Sequence, residues 1–404
     1  MNIKNRSLTA IAVSAALVVG SHSALAKGFS DKVSVDGYIS QGFQAIEANN
    51  GAFDPADANM DTGFNRFRFA LGFNVNISEN VSAFIELSEE PDDFGACCNP
   101  AIDLALIDIK LSEYLTFQIG TIVTGIFNFR GFSDGAVVQG NPLIGNSPAD
   151  MVTAAEGAKF IGNSGDLHWE LGVSGSDFGE SFGGDRGYTF LGLASYNITD
   201  SIGIGFGFSN SNHGDQLGAA NGVGFIADPG AVRAGLYGGD GENYRFPSAG
   251  GGGIRNTHAG LIPGLDASAA LVDAQYKTDV FTVRGWYGVA KDDYSFSTVG
   301  GVQTVASQTQ GFNTMESEME FLGLEGIFNV TDKLYGALRY VTVSNESNGV
   351  SGGDLTRIQA GIGMWFNDVS LMKVEYVTQE EEANSPGQIG DDWDGLNLEL
   401  SYRF

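Results

Sequence analysis

The chain has 404 residues and a formal net charge of −28, from 21 Lys and Arg against 49 Asp and Glu. A balance this acidic argues against nucleic acid and anionic surfaces as partners. With 58 Gly, only 9 Pro and 43% hydrophobic residues, the composition also excludes collagen-like and disordered chains.

The first 26 residues have the pattern of a cleaved signal peptide. Lys4 and Arg6 give a positive start, an apolar run follows, and Ala24-Leu25-Ala26 supplies small residues for cleavage. A membrane-anchoring helix is the alternative, but the apolar run is shorter than the roughly 20 residues that a spanning helix needs. We therefore predict a signal peptide at 1–26 and a single exported domain at 27–404.

The mature sequence consists of segments of about ten residues in which apolar and polar side chains alternate, as transmembrane β-strands require. In the clearest segment, 64–77, large apolar residues such as Phe67 and Phe69 alternate with Arg66, Arg68 and small or polar residues. A strand of a soluble sandwich is usually about half as long. The pattern predicts a wall between lipid and water, with both arginines on the water side.

Short polar turns and long polar segments alternate along the rest of the chain. The short turns predict seven hairpins, which pair residues 64–77 with 81–90, 102–111 with 115–122, 154–162 with 167–175, 187–198 with 201–210, 269–277 with 280–290, 318–330 with 334–344, and 355–366 with 370–378. A first strand near 33–46 and a last at 393–404 make sixteen, although boundary errors leave fourteen or eighteen open. Short turns at one rim and long loops at the other are typical of outer-membrane barrels. An even count also lets the sheet close without an edge facing lipid.

The last strand has an apolar or aromatic residue at every second position back from Phe404. Together with the signal peptide, it resembles the recognition signal of outer-membrane barrels for their assembly machinery. With the preceding strands, the whole mature chain resembles the sixteen-stranded Gram-negative porins. The run 104–129 loosely resembles the phosphate-selective branch, but the segment 123–153 contains no Pro-Glu-Phe-Gly-Gly motif and the chain has no dense Arg/Lys ladder.

This resemblance implies an all-β, transmembrane antiparallel barrel with long outer loops and a third loop, 123–153, folded into the lumen. It also implies passive diffusion of small hydrophilic solutes and ions through a homotrimer, in contact with outer-membrane lipid and lipopolysaccharide and without a cofactor. Apolar residues of the loop, Leu143 and Ile144 among them, are expected to hold it against the inner wall.

Charged side chains predict a pore constriction with two halves. The inward loop contributes Asp134 and Asp150, with Arg130 beside them. The facing wall contributes the arginines of inward parity, namely Arg66, Arg68, Arg284, Arg339 and Arg357. In porins resembling this chain, an acidic loop opposite a basic wall creates a transverse field that orients polar solutes, and side-chain charges at the narrowest ring set selectivity. The alternative is that some of these arginines only neutralise buried carboxylates such as Glu86, Glu325, Glu375 or Glu399.

Enzymatic signatures are weak, so we predict that the chain is not an enzyme. The mature chain has only His168, His213 and His258; no Gly-x-Ser-x-Gly motif lies near His168, and His-x-x-x-His spacing is absent. A substrate-selective channel, a barrel hydrolase and a structural or adhesive barrel remain as alternatives.

Two further clusters receive little functional weight. Asp54, Asp57, Asn59 and Asp61 offer oxygen ligands but do not fit an EF-hand, so a solvated acidic loop is favoured over loose divalent binding. The adjacent Cys97 and Cys98 provide neither a disulfide framework nor a complete zinc site.

Overall fold

The computed structural model describes residues 32–48, 62–89, 101–123, 138–145, 154–175, 188–212, 264–295, 314–347, 350–381 and 393–404. The strands in these ranges are β1 Val33–Ala48, β2 Thr62–Ser78, β3 Val81–Glu89, β4 Ala101–Lys110, β5 Leu115–Val123, β6 Ala154–Ser164, β7 Leu167–Gly175, β8 Tyr188–Thr199, β9 Ile202–Asn212, β10 Gly264–Lys277, β11 Phe281–Ser295, β12 Thr314–Thr331, β13 Leu334–Ser347, β14 Val350–Asn367, β15 Ser370–Glu381 and β16 Trp393–Arg403. Each strand pairs antiparallel with its neighbours in sequence, and β1 pairs with β16, so the sheet closes into a barrel. The predicted sixteen-stranded antiparallel barrel is confirmed. The structure contains no helix long and apolar enough to cross a membrane within the ranges it describes.

All seven predicted hairpins are present, as β2–β3, β4–β5, β6–β7, β8–β9, β10–β11, β12–β13 and β14–β15. Three of their turns share a Thr-Asp pair. In each, the threonine hydroxyl accepts the backbone N–H three residues later, at 3.1 Å for Thr199, 3.0 Å for Thr278 and 3.0 Å for Thr331. Such local side-chain bonds favour tight turns, which is why these positions could be recognised in the sequence.

One connection differs from its prediction. The sequence predicts a longer polar segment between 344 and 355, but β13 extends to Ser347 and β14 begins at Val350. Only residues 348–349 separate the two strands, so the longer loop is wrong. The ladder continues through polar pairs such as Ser344 opposite Asp354, because backbone hydrogen bonds do not require apolar side chains.

The two faces of the barrel differ in polarity. On β16, Leu396, Leu398 and Leu400 are exposed on the outside, whereas Asn397 and Glu399 are buried inside. The sequence pattern predicts that Asn397, Glu399, Ser401 and Arg403 face inward; this is confirmed for the first three, which are buried, whereas Arg403 is exposed next to the end of the chain. An apolar exterior around a polar interior is the reverse of a soluble protein and matches a lipid-facing wall.

The alternation on β2 is interrupted at Arg66. Gln41 of β1 lies opposite Phe67, but Gly42 lies opposite Asn65, so Arg66 is the extra residue of a β-bulge. Beyond it, Phe64 packs edge-on against Phe43, with ring centroids 5.4 Å apart. Strict parity therefore does not extend from Phe67 back to Phe64, since a bulge shifts the register by one residue.

The barrel closes at the last residue of the chain. Gly37 and Phe404 exchange two backbone hydrogen bonds, each 3.0 Å long. The β1–β16 ladder continues from Tyr38 opposite Arg403 to Ala48 opposite Trp393. The predicted closure of 393–404 on 33–46 is confirmed.

Aromatic side chains near the short turns divide between the two faces. From their positions close to the short turns or the chain end, the sequence predicts a lipid-facing girdle on the periplasmic side, formed by Tyr114, Tyr196, Tyr276, Tyr335, Trp365 and Tyr402. Tyr114, Tyr196, Tyr276 and Tyr402 are exposed, as predicted. Tyr335 is only 9% exposed and packs inside the barrel, with Trp365 beside the same cluster. The girdle prediction is wrong for these two residues, because proximity to a turn does not determine which face a side chain takes.

Candidate functional site

Residues 138–145, which we call the inner segment, lie inside the barrel. They belong to the connection between β5 and β6. Leu143 packs with Tyr335, Ala337 and Leu371 on the inner wall, and is 1% exposed. Because Leu371 lies next to the β14–β15 turn, the segment reaches the short-turn rim. The predicted third loop inside the lumen is confirmed for these residues.

A buried carboxylate binds the backbone of the inner segment. Glu375 on β15, which is 1% exposed, accepts the N–H groups of Ile144 and Gly145, the latter at 3.2 Å. The side-chain amide of Gln359 on β14 donates to Glu375 Oε1 and to the Gly145 carbonyl, both at 3.1 Å. Charge-assisted bonds of this kind are stronger than neutral ones, so Glu375 holds the segment firmly.

Arg339 joins the inner segment to the wall from β13. Its Nη1 donates to the Gly145 carbonyl and its Nη2 to Asn141 Oδ1, both at 2.9 Å. Its Nε and Nη2 also donate to Glu325 Oε2, at 2.9 and 2.8 Å. Arg339 and Glu325 have no exposed surface. Arg339 therefore binds the inner segment and its carboxylate partner Glu325, and its guanidinium does not reach the surface.

Glu325 also receives a second arginine from the other side. Arg284 Nη1 on β11 lies 3.2 Å from Glu325 Oε1, and its side chain is 20% exposed. The register sets Arg284 opposite Glu325 and Glu325 opposite Arg339, so the three charges stand in one row across three strands. Arg284 is the more exposed member of this row.

The inner segment is also held by β15 and by the β14–β15 turn. Lys373 Nζ donates to the carbonyls of Val138 and Leu143, the latter at 3.2 Å, and pairs with Glu399 Oε1 at 3.0 Å. Gln139 Nε2 donates to the Val369 carbonyl at 3.0 Å. We call the residues that bind the segment, together with the carboxylate that holds Arg339, the anchor network; they are Arg339, Gln359, Lys373 and Glu375, with Glu325.

The anchor network is close to electrically neutral. The positive charges of Arg339 and Lys373 equal in number the negative charges of Glu325 and Glu375, while Arg284 and Glu399, which pair with Glu325 and Lys373, add one charge of each sign. Buried charges require such partners, because desolvation of an unpaired ion is costly. The network therefore fixes the inner segment without adding a large net charge to this side of the wall.

The predicted constriction residues fall in several places. Arg284 and Arg339 meet at Glu325, as the neutralisation alternative describes. Arg357 is 1% exposed and donates to Gln379 Oε1 at 2.6 Å, and Arg68 is 3% exposed, opposite Ser40 on the inner face. The remaining predictions lie outside the described residues, namely Arg130, Asp134, Asp150 and the side chain of Arg66. The same holds for the signal peptide, the 54–61 acidic cluster, His213, His258 and the two cysteines. Their roles stay predictions.

Sequence reasoning missed most of the anchor network. It treated Glu375 only as a carboxylate that an arginine could neutralise, and it did not consider Lys373 or Gln359. The signal was a concentration of inward polar residues on adjacent strands β14 and β15. Parity shows that such residues face inward, but it does not show which of them meets a segment about 230 positions away in the sequence.

A smaller polar cluster lies on the inner wall at the β6–β7 turn. Lys159 Nζ is 2.6 Å from Glu170 Oε2, and His168 Nε2 is 3.3 Å from Glu170 Oε1. His168 Nδ1 also lies 2.8 Å from Asn163 Oδ1. His168 and Glu170 lie two positions apart on β7 and so share its inner face. In the part of the chain that the structure describes, no group of three or more His, Cys, Asp or Glu could hold a metal ion.

No family model matches the sequence, and no curated protein matches it. Solved structures do match the fold. OmpT, an outer membrane protein of Vibrio cholerae in its trimer form, gives a TM-score of 0.57 at 11% identity, over 93% of this chain and 100% of that chain. An anion-selective porin from Comamonas acidovorans gives 0.55 at 12% identity, over 92% and 99%.

The outer membrane channel DcaP of Acinetobacter baumannii gives a TM-score of 0.57 at 10% identity, over 92% of this chain and 97% of that chain. At such identities the likeness shows a shared fold. The predicted resemblance to the sixteen-stranded outer-membrane porins is confirmed at that level.

Proposed function

We propose that the chain is an outer-membrane channel through which small hydrophilic solutes and ions diffuse passively. The observation that carries this proposal is the inner segment, bound by a buried polar network inside a closed sixteen-stranded barrel with an apolar exterior. Sixteen strands enclose a lumen wide enough for water. A segment bound along its wall narrows that lumen, and a fixed narrowing selects solutes by size and charge.

The outer surface supports placement in a membrane. Large apolar side chains are exposed on strand after strand, as at Phe206, Leu322 and Ile362, where a water-soluble protein would be expected to bury them. Closure leaves no unpaired strand edge among the sixteen strands, which a bilayer demands. The signal peptide predicted at 1–26 supports export, and the terminal strand ending at Phe404 supports recognition by the assembly machinery.

The neighbours in fold support the channel role and the assembly. One is described as an anion-selective porin, one as an outer membrane channel, and one as a trimer form. We extend the channel role and the trimeric assembly to this chain, and propose a homotrimer surrounded by outer-membrane lipid and lipopolysaccharide. It needs no cofactor and no catalytic residue, since diffusion breaks no bond.

Charge supports a preference for cations. The chain carries a formal −28, and the anchor network is close to neutral. Long-range acidity therefore outweighs the enclosed arginines, and cations are favoured in the lumen. Arg284, with 20% of its side chain exposed, is the member of the row of Arg284, Glu325 and Arg339 that is best placed to oppose this preference.

Planar-bilayer recording of the purified full-length protein tests the proposal. We expect stepwise conductance and, in a salt gradient, a reversal potential of the sign given by cation preference. Arg284→Gln should strengthen that preference, whereas Arg339→Gln should lower thermal stability by about 3–5 kcal/mol with a smaller change in reversal potential, because it leaves Glu325 short of a partner. A folded protein without conductance would contradict the channel. Equal selectivity changes in both variants would contradict the assignment of Arg284 to the lumen.

A further inference from the structure

The outer face of the barrel carries an apolar recess across β11 to β16. Fifteen residues line it, close to the short-turn rim. Its floor contains Gly326, Gly336 and Ala360, and its rim contains Phe328, Leu338 and Ile362, which are 53%, 56% and 58% exposed. In the register, Leu338 lies between Gly326 and Ala360, and Gly336 lies between Phe328 and Ile362. Large and small side chains therefore alternate and form a furrow.

The two floor glycines are not required by the packing of the chain itself. On the inner face, a Cβ at Gly361 would lie 2.7 Å from Leu143 Cδ2, and one at Gly363 would overlap the ring of Tyr335. On the outer face, a Cβ at Gly326 would meet nothing within 4 Å. At Gly336 the nearest atom would be the Gly361 carbonyl oxygen, at 3.9 Å. Neither floor glycine has a positive φ.

A glycine inside a strand lowers stability and often marks the close approach of a ligand. Since neither backbone conformation nor internal contact explains Gly326 and Gly336, the space above them is available to a group outside the chain. That group is apolar, because the side chains around the space are Phe328, Leu338 and Ile362.

We propose that this recess binds an acyl chain of a membrane lipid from the leaflet on the short-turn side. The proposal rests on the outer-membrane placement proposed above. In lipid, apolar groups gain little from leaving water, so a site is made by close van der Waals contact. An unfilled furrow loses those contacts on one side, and a flexible hydrocarbon chain restores them.

The size of the recess favours a lipid chain over a second copy of this protein. A stable protein interface uses about 20–30 residues on each side. The recess has fifteen, and its rim side chains protrude instead of forming a flat face. A second copy would need a matching ridge, whereas an acyl chain follows any furrow of sufficient length.

Photocrosslinking in proteoliposomes tests the site. The probe is phosphatidylethanolamine with a diazirine on one acyl chain, and peptide mass spectrometry maps the labelled residues. We expect labelling to concentrate on the recess rim over other lipid-facing residues such as Leu400. Gly326→Leu and Gly336→Leu fill the furrow and should lower rim labelling about tenfold, equivalent to ~1.4 kcal/mol. The matched control is Gly285→Leu, an outward position on β11 outside the recess where a Cβ meets only ordinary contacts at 3.7 Å.

Gly326→Ala adds a single methyl group in open space, and it serves if the leucine variants fail to assemble; rim labelling should then fall by a smaller factor. Uniform labelling around the barrel, or rim labelling unchanged by filling, would overturn the lipid site. Crosslinks between protein copies at the rim would overturn it in favour of a protein interface.

Conductance is measured on the same preparations, which separates this inference from the proposed function. A conducting barrel with uniform labelling refutes this inference alone, whereas a folded barrel without conductance refutes the proposed function.

Discussion

At the scale of single residues, one buried carboxylate accepts hydrogen bonds from the backbone of the inner segment. Glu375 accepts two consecutive backbone N–H groups and the amide of Gln359. Buried N–H groups left without an acceptor cost about 1–3 kcal/mol each. A neutral amide at this position would offer one acceptor oxygen and place a donor against other donors. Glu375 therefore contributes to the fixed position of the segment beside the apolar contact of Leu143.

Replacement of this carboxylate tests that contribution. Glu375→Gln should weaken the anchoring by about 1–3 kcal/mol and increase open-channel current noise. Amide hydrogen exchange at Ile144 and Gly145 should accelerate about tenfold for each 1.4 kcal/mol lost. Glu380→Gln, on the exposed face of the same strand, is the control and should leave both readouts unchanged. Unchanged exchange in Glu375→Gln would show that apolar packing holds the segment.

At the scale of elements, the junction of β1 and β16 is the step that makes the sheet a barrel. Gly37 sits where the chain passes closest to its own end. A Cβ at this position would collide with the Ala70 carbonyl oxygen and lie 2.8 Å from Cζ of Phe404. The first is backbone and cannot rotate away. A side chain at position 37 would therefore separate the strands that close the sheet.

Gly37→Val should impair closure for this reason. We expect a smaller fraction of protein with the fast mobility of folded barrels in unheated detergent electrophoresis, and a lower thermal midpoint. Gly285→Val carries the same change at an open outward position and should behave like the wild type. Normal assembly of Gly37→Val would show that β1 can shift its pairing to accommodate the side chain.

At the scale of the whole molecule, charge is distributed unevenly. Arg284 and Arg339 are both paired with the carboxylate of Glu325, whereas the chain as a whole carries a formal net charge of −28. Selectivity produced by many distant acidic groups differs from selectivity produced by one close ring. Distant charges are screened by salt, but charges in direct contact with a passing ion are screened much less.

Salt dependence separates these two origins. The Debye length falls from about 10 Å at 0.1 M to about 3 Å at 1 M ionic strength. We therefore expect the cation preference measured in 0.1 M KCl to be largely lost in 1 M KCl. The check is the reversal potential at a constant concentration ratio across that range. Selectivity that persists in 1 M KCl would indicate a close ring of charges at the narrowest point.

The sequence by itself predicted the hairpins, the closing pair and sixteen as the favoured strand count, whereas the closed sheet decided against fourteen and eighteen. A period of two residues follows directly from strand geometry, so a strand can be recognised from its own residues. Thr-Asp turns such as Thr331-Asp332 form through local hydrogen bonds, so they too can be recognised in a short stretch. Prediction failed where the structure depends on pairing between strands and not on the residues of one short stretch. The bulge at Arg66 shifts parity through pairing with β1, and the polar ladder beyond Ser344 continues without an apolar pattern.

Only the tertiary structure decided what the inward residues do. Tyr335 donates a hydrogen bond to the Pro142 carbonyl inside the barrel and does not belong to the lipid-facing girdle. Arg339 is fully buried and binds Gly145 and Glu325. Tyr335 and Pro142 are 193 positions apart and Arg339 and Gly145 are 194 apart. They meet because closure of the sheet brings β13 against a segment of the β5–β6 connection. The alternation of apolar and polar residues predicts which face of the sheet a side chain takes. Its contacts depend on the path of a distant segment, and a local sequence pattern carries no information about that path.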